Sequence, residues 1–172
     1  MEGKPKDKIV EDKQKYWDSV ASLYDEHIQL ISYQPYVTLL THTQAHKSKK
    51  ILEVAMGTGT HTLYFAKTLM QRGATIVCTE ISPKMVAMAE EKFKDPENEF
   101  CAFPYNKVHF RHDEDLLDGS VKLNLHEVRE AHATDERDRL VFGCISNNEF
   151  LPFPDNKFDC YIAALSLQLV HD

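Results

Sequence analysis

Two glycines, Gly57 and Gly59, stand where an apolar run, Ile51-Leu-Glu-Val-Ala55, hands over to a helix-like segment, His61 to Arg72. Glycine at such a junction clears side chains from the backbone N–H groups at a helix start, where the positive dipole end attracts a carboxylate or phosphate. A Gly-x-Gly turn alone is also an ordinary structural device. Glu80 adds to it. It ends the next apolar run, 23 positions beyond Gly57, close to the spacing of about 20 at which an acid accepts the ribose hydroxyls of a nucleoside. Glu53 is the third signal. In a nicotinamide-binding strand the residues before the first glycine are apolar, whereas this chain has a carboxylate inside the strand and Ala55 where that glycine would stand. An acid there suits a ligand bearing a cation, and an NAD-type oxidoreductase is the alternative reading.

The histidine pairs His42/His46 and His109/His112, the latter beside Asp113 and Asp115, have no third and fourth ligands at a metal-site spacing. They read as solvated surface residues, with no metal expected. The four cysteines form no C-x-x-C pair and read as reduced, mostly buried thiols.

The elements that must position these residues follow from periodicity. From Lys13, the apolar residues Trp17, Val20, Ala21, Tyr24, Ile28 and Ile31 recur at helical spacing after a charge-rich, frayed first dozen residues. Gln34-Pro35 opens a second helix with Tyr36, Leu39 and Leu40 on one face. Strands are expected near 51–55, 74–80, 140–145 and 158–164. Gly73 caps the helix after the glycine turn, and Ser82 caps and Pro83 begins a helix running to about Phe93. Alternating strands and helices dictate an α/β fold, a doubly wound parallel sheet, with the four strands in the spatial order third, second, first, fourth. Between them, residues 94–139 form an acidic insertion: over 113–138 nine acidic residues face three Lys or Arg, so the stretch reads as solvated. Asp118-Gly119 offers a hairpin turn between Val108–Arg111 and Val121–Leu125 as the lesser alternative.

The 172 residues, 42% hydrophobic and 27% charged, suit a single domain with a packed core. With 20 Lys and Arg against 27 Asp and Glu, a formal charge of −7, no sequence-wide basic field favours nucleic acid or an anionic bilayer. No run approaches the roughly 18 apolar residues of a membrane span. The N-terminal stretch carries no apolar leader, so the expected compartment is cytoplasmic.

Three segments, ILEVAMGTG, TIVCTEISPKMVAMAEEKF and NNEFLPFPDNKFDCYIAALSLQLVHD, taken together and in this order, resemble the class I S-adenosylmethionine-dependent methyltransferases, and most closely their type-11 domain branch. The resemblance implies methyl transfer from S-adenosylmethionine to a small-molecule acceptor, a non-catalytic binding module of the same fold being the competing class. It implies that Glu53, Ala55, Gly57 and Gly59 surround the methionine end of the cofactor, that Glu80 holds the ribose and that Ile81 lies against the adenine. Asn147 would accept from the adenine amine through its amide oxygen, Asn148 would offer its backbone N–H, and Tyr16 and Tyr24 would fold over the cofactor as a lid. Leu151-Pro-Phe-Pro154 would end near the active site, with Ser166 to Leu169 flanking the sulfonium and His171 beside the acceptor. The family also has three further strands after the fourth. Their absence before Asp172 leads us to expect a C-terminally truncated domain that self-associates through its fourth strand (Phe158, Tyr161, Ile162, Leu165).

Overall fold

The computed structural model of the chain describes residues 8–95, 97, 105–164 and 166. Leu165, Cys101, the stretch from Leu167 to Leu169 and His171 lie outside them. Five strands form one parallel sheet: β1 (Lys50–Val54), β2 (Thr75–Glu80), β3 (Lys107–Arg111), β4 (Leu140–Ile145) and β5 (Cys160–Ala163), in the order β3-β4-β2-β1-β5. The four strands anticipated from the sequence keep their expected order, and β3 adds a fifth beyond β4. The direction of the chain reverses its progress across the sheet between β1 and β5, the switch point where open α/β sheets bind ligands.

Alternation along the strands divides the core. Ile51, Ile76 and Val141 face one layer with Phe65 and Ala66 of α3 (Thr60–Thr68) and Val86, Ala89 and Phe93 of α4 (Pro83–Lys94). Leu52, Val77, Leu140 and Phe142 face the other, with Leu125 and Val128 of α5 (Leu125–His132). This period of two in strands that are almost wholly buried is what a sheet covered on both faces requires.

The segment 94–139 is not a solvated insertion throughout. It supplies β3 and α5, and Phe110, Leu116, Leu117, Leu125 and Val128 are buried. No hairpin forms: β3 pairs parallel to β4, with Val108 opposite Val141. The acidic residues mark the outer surface of a β-α unit whose apolar positions are few but correctly spaced. Asp138 is itself buried, its carboxylate accepting from the N–H groups of Thr134 (2.8 Å) and Asp135 (2.9 Å).

The N-terminal helices differ in detail from the pattern read in the sequence. Helix is already present before Lys13, in α1 (Lys8–Leu23), and α1 runs through a π-helical turn, Tyr24–Ile28, into α2 (Gln29–Thr43). Pro35 lies inside α2 and does not open it. The wide turn adds a residue and rotates the later positions, so Ile28 and Ile31 face outward, Ile31 at 78% exposure, while Tyr36 and Leu40 remain buried. Helix α3 closes at Thr68, with Leu69 as its cap, before Gly73 is reached. Ser82 caps α4 as expected, accepting from the Met85 N–H at 3.0 Å, with Pro83 first in the helix.

Candidate functional site

The carboxyl ends of β1, β2 and β4 open into a cleft of roughly 690 Å³, mouth included, roofed by α1 and the π-helical turn. Of the sequence-derived site residues, Tyr24, Ala55, Gly57, Glu80, Ile81, Asn147 and Asn148 line it together, joined by Lys13, Trp17, Met85, Ala164 and Ser166.

Glu80 is the electrostatic centre. It is buried at the end of β2, and its carboxylate accepts the N–H groups of Gly57 (3.0 Å, on Oε2) and of Ile81 (2.8 Å) and Ser82 (3.0 Å), both on Oε1. Burial pushes its pKa above the ordinary carboxylate value, and the three N–H groups oppose that. Two carboxylate oxygens offer about four lone-pair directions. With three engaged, the carboxylate has room for roughly one hydroxyl donor without giving up a backbone bond, so the grip on two ribose hydroxyls expected from the sequence requires one N–H to yield.

The glycine turn is shaped as much by protein neighbours as by a ligand. Gly57 has φ +59°, and a Cβ there would crowd Tyr24 Cε1 at 3.2 Å, so glycine suits both the left-handed backbone and the close approach of Tyr24. Gly59, at φ +77°, is set apart from the cleft: its Cβ would meet the Ala89 Cβ at 2.7 Å, so its bareness serves the close packing of α3 on α4. Ala55 lines the cleft at φ +52°, in the left-handed region that alanine tolerates poorly.

Glu53 is not part of the cleft wall. It lies buried in β1, its carboxyl facing the buried side chains of Tyr36 and Thr62. Desolvation pushes its pKa up to about 7, tempered by the Thr62 and Tyr36 hydroxyls that face it. The charges of Glu80 and Glu53 add to burial in raising the pKa of Tyr24, so both acids act electrostatically on the residue at the roof of the cleft.

The roof uses Trp17, not Tyr16. Tyr16 is 60% exposed and rests edge-on against Trp17, with ring centroids 5.1 Å apart, and Trp17 in turn meets Tyr24 at 6.4 Å. Trp17 and Tyr24 are seven residues apart, two helical turns, and share a face that Tyr16 misses by about 100°. That spacing was the available signal. Lys13, also missed, spans the cleft mouth to Glu149 (2.9 Å), and Gln14 Nε2 donates to the Ile81 carbonyl (3.1 Å). Asp18 accepts the Lys84 N–H (3.1 Å) and the Ser82 hydroxyl, fixing α1 to the start of α4.

The Leu151–Pro154 segment borders a second hollow with Leu52, Asp118, Lys122 and Phe158, which meets the cleft at Asn148. Ser166 is buried with an unpartnered Oγ in the cleft wall. His109 is no solvated surface residue: it stacks on His132 with centroids 3.8 Å apart and on Phe142 at 5.6 Å. Among the described residues no cluster of three His, Cys, Asp or Glu has the geometry to hold a metal ion, and no helix is long and apolar enough to cross a membrane.

The cleft combines polar and apolar walls. It has an acid with remaining acceptor capacity, apolar walls from Ile81, Met85 and Trp17, and two buried polar groups without partners, Asn147 Nδ2 and Ser166 Oγ. Residues 51–134 match the model of a family described as a methyltransferase domain. The match runs from β1 through α5 and includes Glu53, Ala55, Gly57, Gly59, Glu80 and Ile81. The match covers just under half of the chain, and the all-parallel α/β sheet is consistent with a Rossmann-like methyltransferase fold. No curated protein and no solved structure matches the chain.

Proposed function

We propose that the chain binds S-adenosylmethionine as a methyltransferase of the type-11 branch, acting on a small-molecule acceptor. The observation that carries this reading is Glu80. A buried carboxylate at the end of β2, bonded to the Gly57 N–H across the glycine turn and exposed to the cleft at the switch point, is where a ribose acceptor belongs.

When bound, the cofactor would supply a methyl group activated by its attachment to a sulfonium, for transfer to a nucleophilic atom of the acceptor. The residues of the chain orient and enclose. Glu80 takes a ribose hydroxyl, Ile81 and Met85 flank the base, and Ala55 and Gly57 lie under the tail. Glu53 provides a negative field beneath the turn when ionised, favouring the cationic end. Trp17 and Tyr24 exclude water from above. This division assigns catalysis chiefly to proximity and orientation, since a sulfonium leaving group needs no protein acid to activate it. The protein groups named hold no obligatory proton.

Calorimetric titration with S-adenosylhomocysteine and, in parallel, with NADH tests the reading. Heat with S-adenosylhomocysteine alone is expected. Heat with NADH alone would overturn it in favour of an oxidoreductase.

A further inference from the structure

We propose that His109 and His132 form a pH-sensitive clasp that holds α5 on the edge strand β3, admitting one proton but not two, so that this edge of the sheet loosens in mildly acidic solution. The clasp stands apart from the cleft and does not depend on what binds there.

Topology brings the two residues together. β3 borders the sheet and, among the described residues, pairs with β4 alone. α5 has eight residues, too few to be stable without packing. Leu125, Val128 and His132 recur at spacings of three and four, which is one helix face. The first two are buried in the layer with Leu140 and Phe142, and the third lies on His109. The rings of His109 and His132 are stacked with centroids 3.8 Å apart and planes 16° from parallel, and Phe142 of β4 lies against both, at 5.6 and 5.9 Å. One imidazolium can stack on a neutral ring. Two would set like charges face to face, against an apolar third ring.

The surroundings give a second charge little help. Burial lowers the pKa of His109 from the ordinary imidazole value, the charge of His132 adds to this, and Lys94 of α4 and Arg111 of β3 act in the same sense. Glu90 of α4 opposes them, but its carboxylate is already shared by Lys94 and His112. On α5 itself, His126 and Glu130 pair with each other on the exposed side, and Arg129 donates to Thr75 Oγ1 and the Asp138 carbonyl, both at 3.0 Å. On acidification the unfolded chain takes both protons whereas the clasped state resists the second. The stability of the β3–α5 edge is therefore complete above the ordinary imidazole pKa and falls as pH drops below it.

Hydrogen exchange of the chain at pH 7.5 and 5.0, expressed as protection factors so that the intrinsic pH dependence cancels, reads the edge directly. Protection in β3 and α5 is expected to fall several-fold at the lower pH relative to β1 and β2, where Glu53 shifts stability in the opposite direction. Equal protection of the edge at both pH values would overturn the proposal. His132→Phe keeps a ring to stack on and removes one titrating group. In this variant the acid-dependent loss should disappear, and the His109 imidazole, followed by NMR, should titrate at higher pH than in the wild type. An unchanged loss, or a His109 titration that does not move, would also overturn it, since burial alone would then account for the behaviour. Should His132→Phe unfold α5, the wild type decides: its two imidazole resonances are expected to titrate in separated steps, and coincident steps would contradict mutual exclusion.

Discussion

At the scale of single residues, Glu53 and Ala55 carry strain that the fold tolerates beside the cleft. Glu53 has its pKa raised from 4.5 to about 7 by burial. Between those values the folded state holds a proton that the unfolded chain releases, so stability declines as pH rises across that window, by up to about 3 kcal/mol. Glu53→Gln removes the titration while keeping the shape. Chemical denaturation should show the variant close to wild type at pH 5 and more stable by about 1–3 kcal/mol at pH 8. Equal stability at both pH values would mean that the carboxyl is ionised without penalty. Ala55, at φ +52°, holds a conformation that costs an L-residue about 1–2 kcal/mol. Ala55→Gly relieves this against the extra chain entropy of glycine, and a rise in Tm of about 1–4 °C is expected in a thermal melt. A fall would show that the alanine methyl contributes packing that outweighs the strain.

At the scale of elements, the π-helical turn is what brings the roof onto the glycine turn. The Asp25 carboxylate within it accepts from both Lys92 Nζ and Thr58 Oγ1. Lys92 also donates to the Thr58 carbonyl (3.0 Å) and Thr60 Oγ1 (2.7 Å). This links the roof, the glycine turn and α4 through one partly buried ion pair. Asp25→Ala should weaken S-adenosylhomocysteine binding about three- to tenfold, with a stability loss near 1 kcal/mol, as for other partly exposed pairs. Unchanged affinity would show that Tyr24 holds its place without the latch. The sequence made β1, β2, β4 and the capped start of α4 legible because each combines an apolar run with an explicit boundary residue. The π-turn was not legible, since its cause is tertiary: Asp25 finds partners 33 and 67 positions away. The β3–α5 unit was hidden by its charge, because a high density of acids on the outer face obscures a handful of apolar residues at strand and helix spacing. Of the site, Glu80 and Gly57 followed from spacing. That Glu53 sits inside the core behind the turn and that Gly59 faces α4 is not legible in the sequence, because the positions of Tyr36, Thr62 and Ala89 around them are set by tertiary packing.

At the scale of the whole molecule, β5 bounds the sheet and, among the described residues, pairs on one side only, with β1. Its Tyr161 is 47% exposed, whereas Ile162, expected from the sequence to be uncovered, is fully buried and Phe158 is half-buried. The exposed apolar surface along the strand is thus smaller than the run of residues suggested, but the backbone edge remains a template for pairing. We expect sedimentation at micromolar concentrations to show reversible self-association that Tyr161→Lys reduces. A monomer at every concentration would contradict this.

The central claim is that a nucleoside lies across the ends of β1, β2 and β4 with Glu80 at its ribose. Amide chemical shifts recorded by NMR during titration with S-adenosylhomocysteine test it most directly. The account predicts saturable shifts concentrated at Ala55 to Gly57, Ile81 and Asn147 to Asn148, and their disappearance at the same ligand concentrations in Glu80→Ala. Shifts confined to the second hollow, around Asp118, Phe150 and Phe153, or none at the glycine turn, would contradict it.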